Sequence, residues 1–512
     1  MTAAAPWWKS AVIYQIYPRS FADSNGDGIG DLGGIRHRLD HLAWLGVDAV
    51  WLSPIFRSPM ADFGYDVSDY CDVDPLFGTL ADLDALVAEA HARRIRVLLD
   101  WVPNHTSDRH PWFVDSRRSR TSARRDWYVW RDPASGGGPP NNWTAAFGER
   151  GPAWTLNPAT GQYYLHSFLP EQPELDWTNA DVVRAMHDVL RFWLDRGIDG
   201  FRVDVVHGLG KDPALPDDPP EWAGVPHAAL NDHESTHAIL RDLRRLVDSY
   251  PGDRVLVGEV FLLRPGSHPR YYGAGDELHL VFELPAAVIT PWDGDAWREG
   301  IARVAATLEP IHAWPTWVLS NHDTPRHRTR YGSEPRARAA AVLLLTLRGT
   351  PFLYAGEELG LENATVPKER VVDPGGRDGC RAPLPWDATS AHGWPGHEPW
   401  LPWSPEPETR NVDTLRADRR SILHLYRRLL GARHASPALQ LGTSALLPSP
   451  PGVVAYRRTF ETDCRTVLVN FTAEAVSYTA HGTVEIASDG VDEGRPYGGV
   501  LRPDTALILR DG

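Results

Sequence analysis

The sequence predicts a (β/α)8 TIM barrel with a small domain inserted after its third strand and an all-β sandwich domain at its C-terminal end. Two observations lead to this fold class. Eight short apolar runs alternate with amphipathic helical patterns, as a repeated β-α unit requires. Strand-like alternation without helices then returns only near the end of the chain, at residues 453–460, 466–471 and 505–509.

The eight runs have the length and the apolar character of strands that are buried in a parallel sheet. Between most of them lie segments with apolar residues at spacings of three and four, which is the helical period. The runs cover residues 11–17, 47–53, 96–102, 200–206, 254–260, 278–284, 316–320 and 351–354, and the predicted helices cover 80–93, 181–196, 233–247 and 337–347.

The longest gap between predicted strands, residues 105–176, is rich in Pro, Gly, Trp and Asn and has little helical pattern. A loop of this length inside a barrel predicts an inserted domain. We therefore expect a catalytic barrel formed by residues 1–104 and 177–434, an inserted domain at 105–176 and a β-sandwich at 435–512. A last helix around 415–430 would end the barrel.

The composition limits the classes of partner. The chain of 512 residues carries 67 acidic and 52 basic residues, a formal net charge of -15 that disfavours nucleic acid and acidic lipid. It shows no membrane-spanning run and no secretory signal pattern, and its three cysteines form no metal or disulfide motif. We expect a cytoplasmic protein that acts on a small neutral molecule. The sequence does not predict the oligomeric state.

The fourth apolar run carries the first candidate for chemistry. Within residues 200–207, Arg202 and Asp204 share one face of the strand, opposite apolar side chains. The guanidinium would keep the carboxylate ionised, and an ionised, partly desolvated Asp is a ready nucleophile. A structural ion pair would account equally well for this strand taken alone.

Three further runs end in polar side chains. Glu259 ends an apolar strand face, which we expect to favour its protonated form, His322 and Asp323 end the seventh run, and Asp100 and His105 close the third. Because the strands of a barrel end at one rim, these groups should meet there. An ionised Asp beside a protonated Glu is the pairing that cleaves glycosidic bonds.

Four of these segments, at residues 100–105, 200–204, 258–260 and 320–323, resemble in order the signature segments of the α-amylase superfamily, glycoside hydrolase family 13. The stretch at 172–177 is similar to the one that marks its oligo-1,6-glucosidase and α-glucosidase branch. The resemblance implies that Asp204 is the nucleophile, Glu259 the general acid/base and Asp323 the carboxylate that binds and distorts glucose. His105, His322 and Arg202 would assist them, and the anomeric configuration would be retained.

The segment at 62–66 resembles the one with which the family holds the terminal glucose, with Asp62 accepting hydrogen bonds and Tyr65 stacking on the ring. By the same resemblance, Asp62 paired with Arg381 would close the pocket beyond one sugar. Cleavage would then be exo-acting. The loop around Arg381 departs from the commoner family pattern at Leu384 and Pro385.

The loop from Asp23 to Asp31 carries side-chain oxygens at alternate residues, as a loop around a hard cation requires. An Asx-rich turn explains the same spacing. Resemblance to the branch implies a structural Ca²⁺, or Mg²⁺, away from the chemistry. Its ligands would be Asp23, Asn25, Asp27, the carbonyl of Ile29, and Asp31.

These features together predict an exo-acting retaining α-glucosidase for short maltose- or isomaltose-type substrates. A glucosyltransferase or an isomerase of the same superfamily, forming trehalose or isomaltulose, is the main alternative. A non-catalytic relative and a tryptophan-rich sugar-binding module are weaker alternatives, because the catalytic set is complete. Val205, after the nucleophile, resembles the valine of enzymes that accept α-1,6 links, whereas His207 resembles actinobacterial α-glucosidases that act on α-1,4 links.

Overall fold

A computed structural model describes residues 5–147, 151–263, 266–284 and 288–511. All eight predicted apolar runs contain a strand of one parallel sheet, as the period-two and buried patterns indicate. The strands are β1 (Ile13–Ile16), β2 (Ala49–Leu52), β3 (Arg96–Trp101), β4 (Gly200–Val203), β5 (Val255–Gly258), β6 (Leu280–Val281), β7 (Thr316–Val318) and β8 (Thr350–Tyr354).

These strands pair in the order β6-β5-β4-β3-β2-β1-β8-β7. A parallel bridge between Phe282 and Thr316, with the Glu283 N–H donating to the Thr316 carbonyl at 3.1 Å, joins β6 to β7 and closes the barrel. Gly200 opens β4 where an added Cβ would stand 2.3 Å from the Val255 carbonyl oxygen. Only glycine lets these two strands approach so closely.

Helices between the strands match the predicted amphipathic segments to within a few residues. Side chains cap the first turns of several helices: Thr79 and Asp82 form a reciprocal capping box, and Asn179 and Asp293 each accept a backbone N–H of the next helix. The helices are Trp7–Ser10, Leu32–His37, Leu39–Leu45, Leu80–Ala92, Pro111–Ser116, Ala180–Asp195, Ser235–Asp248, Gly294–Leu308, His327–Tyr331, Glu334–Thr346, Val412–Ala417, Ile422–Ala435 and Pro437–Leu441.

The insertion after β3 contains a three-stranded antiparallel sheet, whose central strand Gln162–Leu165 pairs with Trp130–Arg131 and Trp154–Asn157. A bridge between His105 and Glu174 returns the insertion to the end of β3. A short antiparallel pair, Phe56–Arg57 with Asp69–Val73, follows β2.

The C-terminal part is antiparallel β structure that packs on the barrel helices. An ion pair at 3.1 Å joins Asp504 of this part to Arg336 on the barrel helix Glu334–Thr346. Five strands form one sheet and two form another: Thr443–Leu447, Val453–Phe460, Asp463–Asn470, Ala506–Arg510 and Thr483–Ala487 in spatial order, then Val476–Ser477 with Val500–Leu501.

The domain boundaries at 104/105, 176/177 and 434/435 stay predictions. Among the described residues, no helix has the length and apolarity needed to cross a bilayer.

Candidate active site

Asp204 and Glu259 follow the carboxyl ends of β4 and β5, which are neighbouring strands. The Asp204 N–H donates to the Trp101 carbonyl at 2.9 Å, and the Glu259 N–H donates to the Val203 carbonyl at 3.0 Å. The hydrogen-bond ladder of the barrel therefore continues through both residues. It holds the two acids at the rim where barrel proteins carry their reactive groups.

Arg202 lies at the centre of an acidic cluster. Its Nη1 donates to Asp204 Oδ1 and to Asp100 Oδ1, both at 2.7 Å, and its Nη2 donates to Glu259 Oε2. The side chains of Arg202, Asp100 and Asp204 are all buried, whereas that of Glu259 is 21% exposed. One guanidinium thus holds the predicted nucleophile and the predicted acid/base side by side.

Three carboxylates around one cation change the expected protonation. Burial raises the pKa of Asp204, Arg202 opposes this rise, and Glu259 and Asp100 reinforce it. Burial also raises the pKa of Asp100, to about 6. Such a cluster favours keeping a proton at neutral pH. The prediction that Glu259 lies in an apolar setting is wrong, because its carboxylate contacts Arg202. For Asp204 to be ionised, the proton that the cluster keeps must lie on another of its carboxyl groups.

Asp323, after β7, is held by three basic side chains. Its Oδ1 accepts hydrogen bonds from Arg377 Nη1 at 2.8 Å and Arg381 Nη2 at 3.3 Å, and its Oδ2 lies 3.2 Å from His322 Nε2. Burial alone would raise the pKa of Asp323, but His322, Arg377 and Arg381 lower it below its usual range. Burial lowers the pKa of His322 to about 3, so this imidazole is neutral near pH 7. Asp323 is therefore ionised near neutral pH.

The predicted pairing of Asp62 with Arg381 is wrong. Arg377 Nη2 donates to Asp62 Oδ1 at 2.6 Å, while Arg381 is fully buried behind Asp323 and bonds Asp373 and the His322 carbonyl. Arg377 lies one helical turn before Arg381 in the same segment, so the sequence alone could not distinguish them. Arg377, and not Arg381, therefore pairs with Asp62 at the wall of the cavity.

Tyr65, His105 and Gln172 complete the wall next to Asp62. The Tyr65 hydroxyl donates to Asp100 Oδ2 at 3.0 Å, and its ring stacks on His322 at 5.4 Å. Gln172 Nε2 donates to Asp62 Oδ2 at 3.1 Å and lies 3.0 Å from His105 Nε2. The inserted domain therefore supplies part of the pocket.

Val205 follows the predicted nucleophile in a left-handed backbone conformation, with φ 41° and ψ 47°. This conformation is a genuine outlier for a β-branched residue. Strain of this kind is stored where the surrounding structure overdetermines the chain, commonly at functional sites. The turn Val206–Gly208 comes directly after it.

Lys211 ties that turn to the inserted domain. Its Nζ lies 2.7 Å from Glu174 Oε2 and donates to the Gly208 carbonyl at 2.7 Å and to Asn104 Oδ1 at 3.2 Å. Burial would raise the pKa of Glu174, but Lys211 lowers it below its usual range. The ion pair joins the end of β3, the turn after Asp204 and the insertion.

The catalytic candidates Asp204, Glu259 and Asp323 line a single cavity of about 390 Å³, together with Asp62, Tyr65 and His105. Arg202, His322 and Arg381 support these side chains from behind. Sequence reasoning missed lining residues that come mainly from loops: Phe147, Phe168, Gln172, His207, Phe261 and Arg377. Two of them carried a signal: Gln172 opens the branch-specific stretch, and His207 follows the predicted nucleophile in the segment that resembles α-1,4-acting enzymes.

The predicted cation loop is closed by its own hydrogen bonds. Asp23 Oδ1 accepts the Gly26 N–H at 2.7 Å, Asn25 Oδ1 accepts that of Asp27 at 2.9 Å, and Asp31 caps a helix through the Gly34 N–H. In the part of the chain that the structure describes, no three His, Cys, Asp or Glu side chains are grouped to hold a metal ion. The donor set does not converge here, and the Ca²⁺ site stays a prediction.

Residues 15–442 match the family model for the alpha-amylase catalytic domain. A probable alpha-glucosidase of Rhizobium meliloti (strain 1021) is 43% identical over 510 residues, which cover 92% of this chain and 90% of the relative. The predicted resemblance to this family is thereby confirmed.

Two solved structures share the whole fold. The alpha-glucosyl transfer enzyme XgtA is 41% identical with a TM-score of 0.91, and the trehalulose synthase MutB from Pseudomonas mesoacidophila MX-45 is 35% identical with a TM-score of 0.92. Each alignment covers 99% of this chain and 100% of the other. The barrel with its C-terminal β domain is thus the fold of a family that includes hydrolases and transfer enzymes.

Proposed function

The chain belongs to the alpha-amylase family of glycoside hydrolases, and on that premise we propose that it is an exo-acting, retaining α-glucosidase. It would release terminal glucose from short maltose- or isomaltose-type α-glucosides. One observation carries the proposal. Arg202 holds Asp204 and Glu259 together in a cavity that the pair of Asp62 and Arg377 closes.

In the proposed reaction, Asp204 attacks the anomeric carbon while Glu259 protonates the leaving oxygen. Retaining enzymes place these two groups about 5–5.5 Å apart, and a shared guanidinium is compatible with that separation. The mechanism needs Asp204 ionised for attack and Glu259 protonated as the acid, and Glu259 is the more exposed of the two side chains. Water, activated by Glu259 as a base, then cleaves the glucosyl ester and restores both acids.

Asp62, Asp323 and Arg377 supply the proposed glucose contacts. Asp323 stays ionised and is fixed by Arg377 and His322, so it can accept hydrogen bonds from glucose hydroxyls throughout the reaction. The link from Asp62 to Arg377 crosses the pocket from the segment after β2 to that after β8. A longer chain beyond the reacting glucose would meet this link, which supports exo-action.

A transferase or isomerase is the second candidate, in which a sugar hydroxyl replaces water in the second step. The structural likeness to an alpha-glucosyl transfer enzyme and to a trehalulose synthase supports this second candidate. Product analysis separates the two. A hydrolase releases free glucose from sucrose and from concentrated maltose, whereas new disaccharides in excess of glucose indicate transfer.

The decisive test measures nitrophenol release from a nitrophenyl α-glucoside. Asp204→Asn and Glu259→Gln should each lower turnover by about 10³-fold or more, since each removes a group that acts on the reacting bond. Glu299→Gln, an exposed acid on the helix Gly294–Leu308, is the matched control. Unchanged turnover in both site variants would refute the mechanism.

Linkage preference, the cation and the cellular location belong to the same proposal. Val205 lines the cavity beside Asp204, where its branched side chain would contact the leaving sugar. Rates of glucose release from maltose, isomaltose, sucrose and trehalose would show which linkage the site prefers. The side-chain oxygens at alternate residues support the proposal that the loop from Asp23 to Asp31 holds a structural Ca²⁺, or Mg²⁺, around which its donors would rearrange. A cytoplasmic location is supported by three cysteines that are free thiols: Cys71, Cys380 and Cys464.

A further inference from the structure

Gln15 is a buried polar side chain inside the barrel. It lies on β1 two residues after Ile13, so both side chains point to the barrel interior, where Ile13 packs among apolar residues of the other strands. Gln15 is 1% exposed. An amide in such a place is costly unless its groups are hydrogen-bonded, and the proposed reaction does not use it.

The Gln15 amide joins His322 to the end of β2. Its Nε2 donates to Ser53 Oγ at 3.1 Å and lies 2.8 Å from His322 Nδ1, and both partners are fully buried. Gln15 Oε1 has no hydrogen-bond partner among the described residues. The opposite orientation of the amide would therefore leave two buried N–H donors unpaired, so the network selects the orientation in which Nε2 faces the ring.

The other ring nitrogen of His322 faces acceptors. Its Nε2 lies 3.2 Å from the ionised Asp323 and contacts the Tyr65 hydroxyl, which donates its own proton to Asp100. Nε2 must therefore carry the proton of the neutral ring. Nδ1 then has a lone pair that needs a donor, and the Gln15 amide is that donor. The contacts on both sides of the ring thus select the same tautomer.

We propose that Gln15 is a positioning residue that keeps His322 in the tautomer with the proton on Nε2. The inference rests on the proposed role of Asp323 in binding glucose. In the opposite tautomer, the Nε2 lone pair would face the Asp323 carboxylate, and the repulsion would turn that carboxylate away from the substrate. Gln15 thus acts through His322 on an acid to which it makes no hydrogen bond.

Several charged and titratable groups surround the His322 ring. Asp323 favours a positive ring, whereas three guanidinium groups oppose it, and burial opposes it most strongly. The rings of two tyrosines stack on it with centroids at 6.0 and 5.4 Å. The guanidinium groups are those of Arg202, Arg377 and Arg381, and the tyrosines are Tyr17 and Tyr65. An acceptor introduced beside Nδ1 would change this balance.

Two substitutions test the proposal through kcat/KM for a nitrophenyl α-glucoside. Gln15→Glu keeps the shape of the side chain but replaces the donor by an acceptor, which favours a proton on Nδ1. We expect it to lower kcat/KM by about 10²-fold at neutral pH, since it removes a hydrogen bond to a charged group. Gln15→Met only removes the donor and should cost about fivefold. Gln440→Glu, on the helix Pro437–Leu441, is the matched control and should have no effect.

The pH profile shows whether the tautomer is the cause. When the introduced carboxyl takes up a proton, it donates to Nδ1 as the amide does; when the ring takes up the proton, both ring nitrogens donate. Either event restores the proton on Nε2. The ratio of kcat/KM for Gln15→Glu to that of the wild type should therefore rise as the pH falls from about 8 to about 5. The corresponding ratio for Gln15→Met should stay constant.

Spectra of the histidine ring ¹⁵N nuclei report the tautomer directly, with the His322 signals identified by their loss in His322→Gln. We expect a proton on Nε2 in the wild type and on Nδ1 in Gln15→Glu at neutral pH. Should Gln15→Glu fail to fold, Gln15→Met should still shift the Nδ1 resonance, because its hydrogen bond is lost.

The outcomes separate this inference from the proposed function. A proton on Nδ1 in the wild type, an Nδ1 resonance that Gln15→Met leaves unchanged, or a kcat/KM ratio for Gln15→Glu that acid does not raise would overturn the role of Gln15. Loss of nitrophenol release in the wild type would instead overturn the proposed α-glucosidase, and the ring spectra, which need no turnover, would still decide which nitrogen Gln15 supports.

Discussion

Replacing Lys211 by Met should destabilise the protein strongly, because it leaves a charge buried without a partner. The side chain of Lys211 is 10% exposed and that of Glu174 is 1% exposed, so water cannot replace the lost contact. Breaking a buried pair by removing one partner costs about 3–5 kcal/mol. The loss of the Gly208 and Asn104 contacts adds about 1 kcal/mol for each acceptor left unpaired.

Urea unfolding followed by tryptophan fluorescence measures this free energy. Lys211→Met should lower the midpoint of unfolding, the double variant with Glu174→Gln should recover most of the loss, and Lys368→Met, at an exposed position, should have no effect. The double variant matters because two neutral side chains avoid the unpaired charge.

The pH dependence gives a second criterion. In the wild type the pKa of Glu174 is lowered, so its contribution is present above the ordinary carboxyl pKa and is lost as the pH falls through the folded value. Without Lys211, the buried carboxyl would take up a proton instead, and the cost of the substitution should shrink as the medium is acidified. A small cost at neutral pH, or one that is unaffected by acid and by Glu174→Gln, would refute the reasoning.

Three further predictions follow. Arg377→Lys should raise the KM for maltose by about tenfold, because one ammonium cannot bridge Asp62 and Asp323 as the fork does; an unchanged KM in steady-state kinetics would contradict this. Burial raises the pKa of Glu357 from 4.5 to about 8, so the wild type should lose stability as the pH rises between these values, where only the unfolded state ionises. Glu357→Gln should flatten that slope in unfolding midpoints measured across this range, and equal slopes would count against it. If the Asp23 loop holds a cation, EDTA should lower the thermal midpoint of unfolding and added Ca²⁺ should restore it. Asp27→Ala should abolish both responses. A wild-type midpoint that neither EDTA nor Ca²⁺ changes would refute the Ca²⁺ proposal.

The strands and the acids at their ends could be predicted because both follow local rules. Alternation along residues 200–204 fixed the common face of Arg202 and Asp204, and barrel geometry brought Glu259 and Asp323 to the same rim. The identity of the Asp62 partner could not be predicted, since Arg377 precedes and Arg381 ends one short 3-10 turn, Asp378–Arg381.

The surroundings of Glu259 and the apolar lining of the cavity escaped prediction for a different reason. The strand pattern shows which side of β5 Glu259 faces, but the guanidinium that contacts it belongs to the neighbouring strand. Phe261 and Ile289 lie in segments after β5 and β6 that have no repeating pattern, so only the folded chain shows that both line the cavity.

The left-handed backbone at Val205 has a consequence for how the enzyme fails when heated. A β-branched residue would leave this conformation as soon as its neighbours loosened, and the carboxylate of the adjacent Asp204 would change its orientation with it. Heat inactivation should therefore occur at a lower temperature than unfolding, so that turnover is lost while the barrel is still folded.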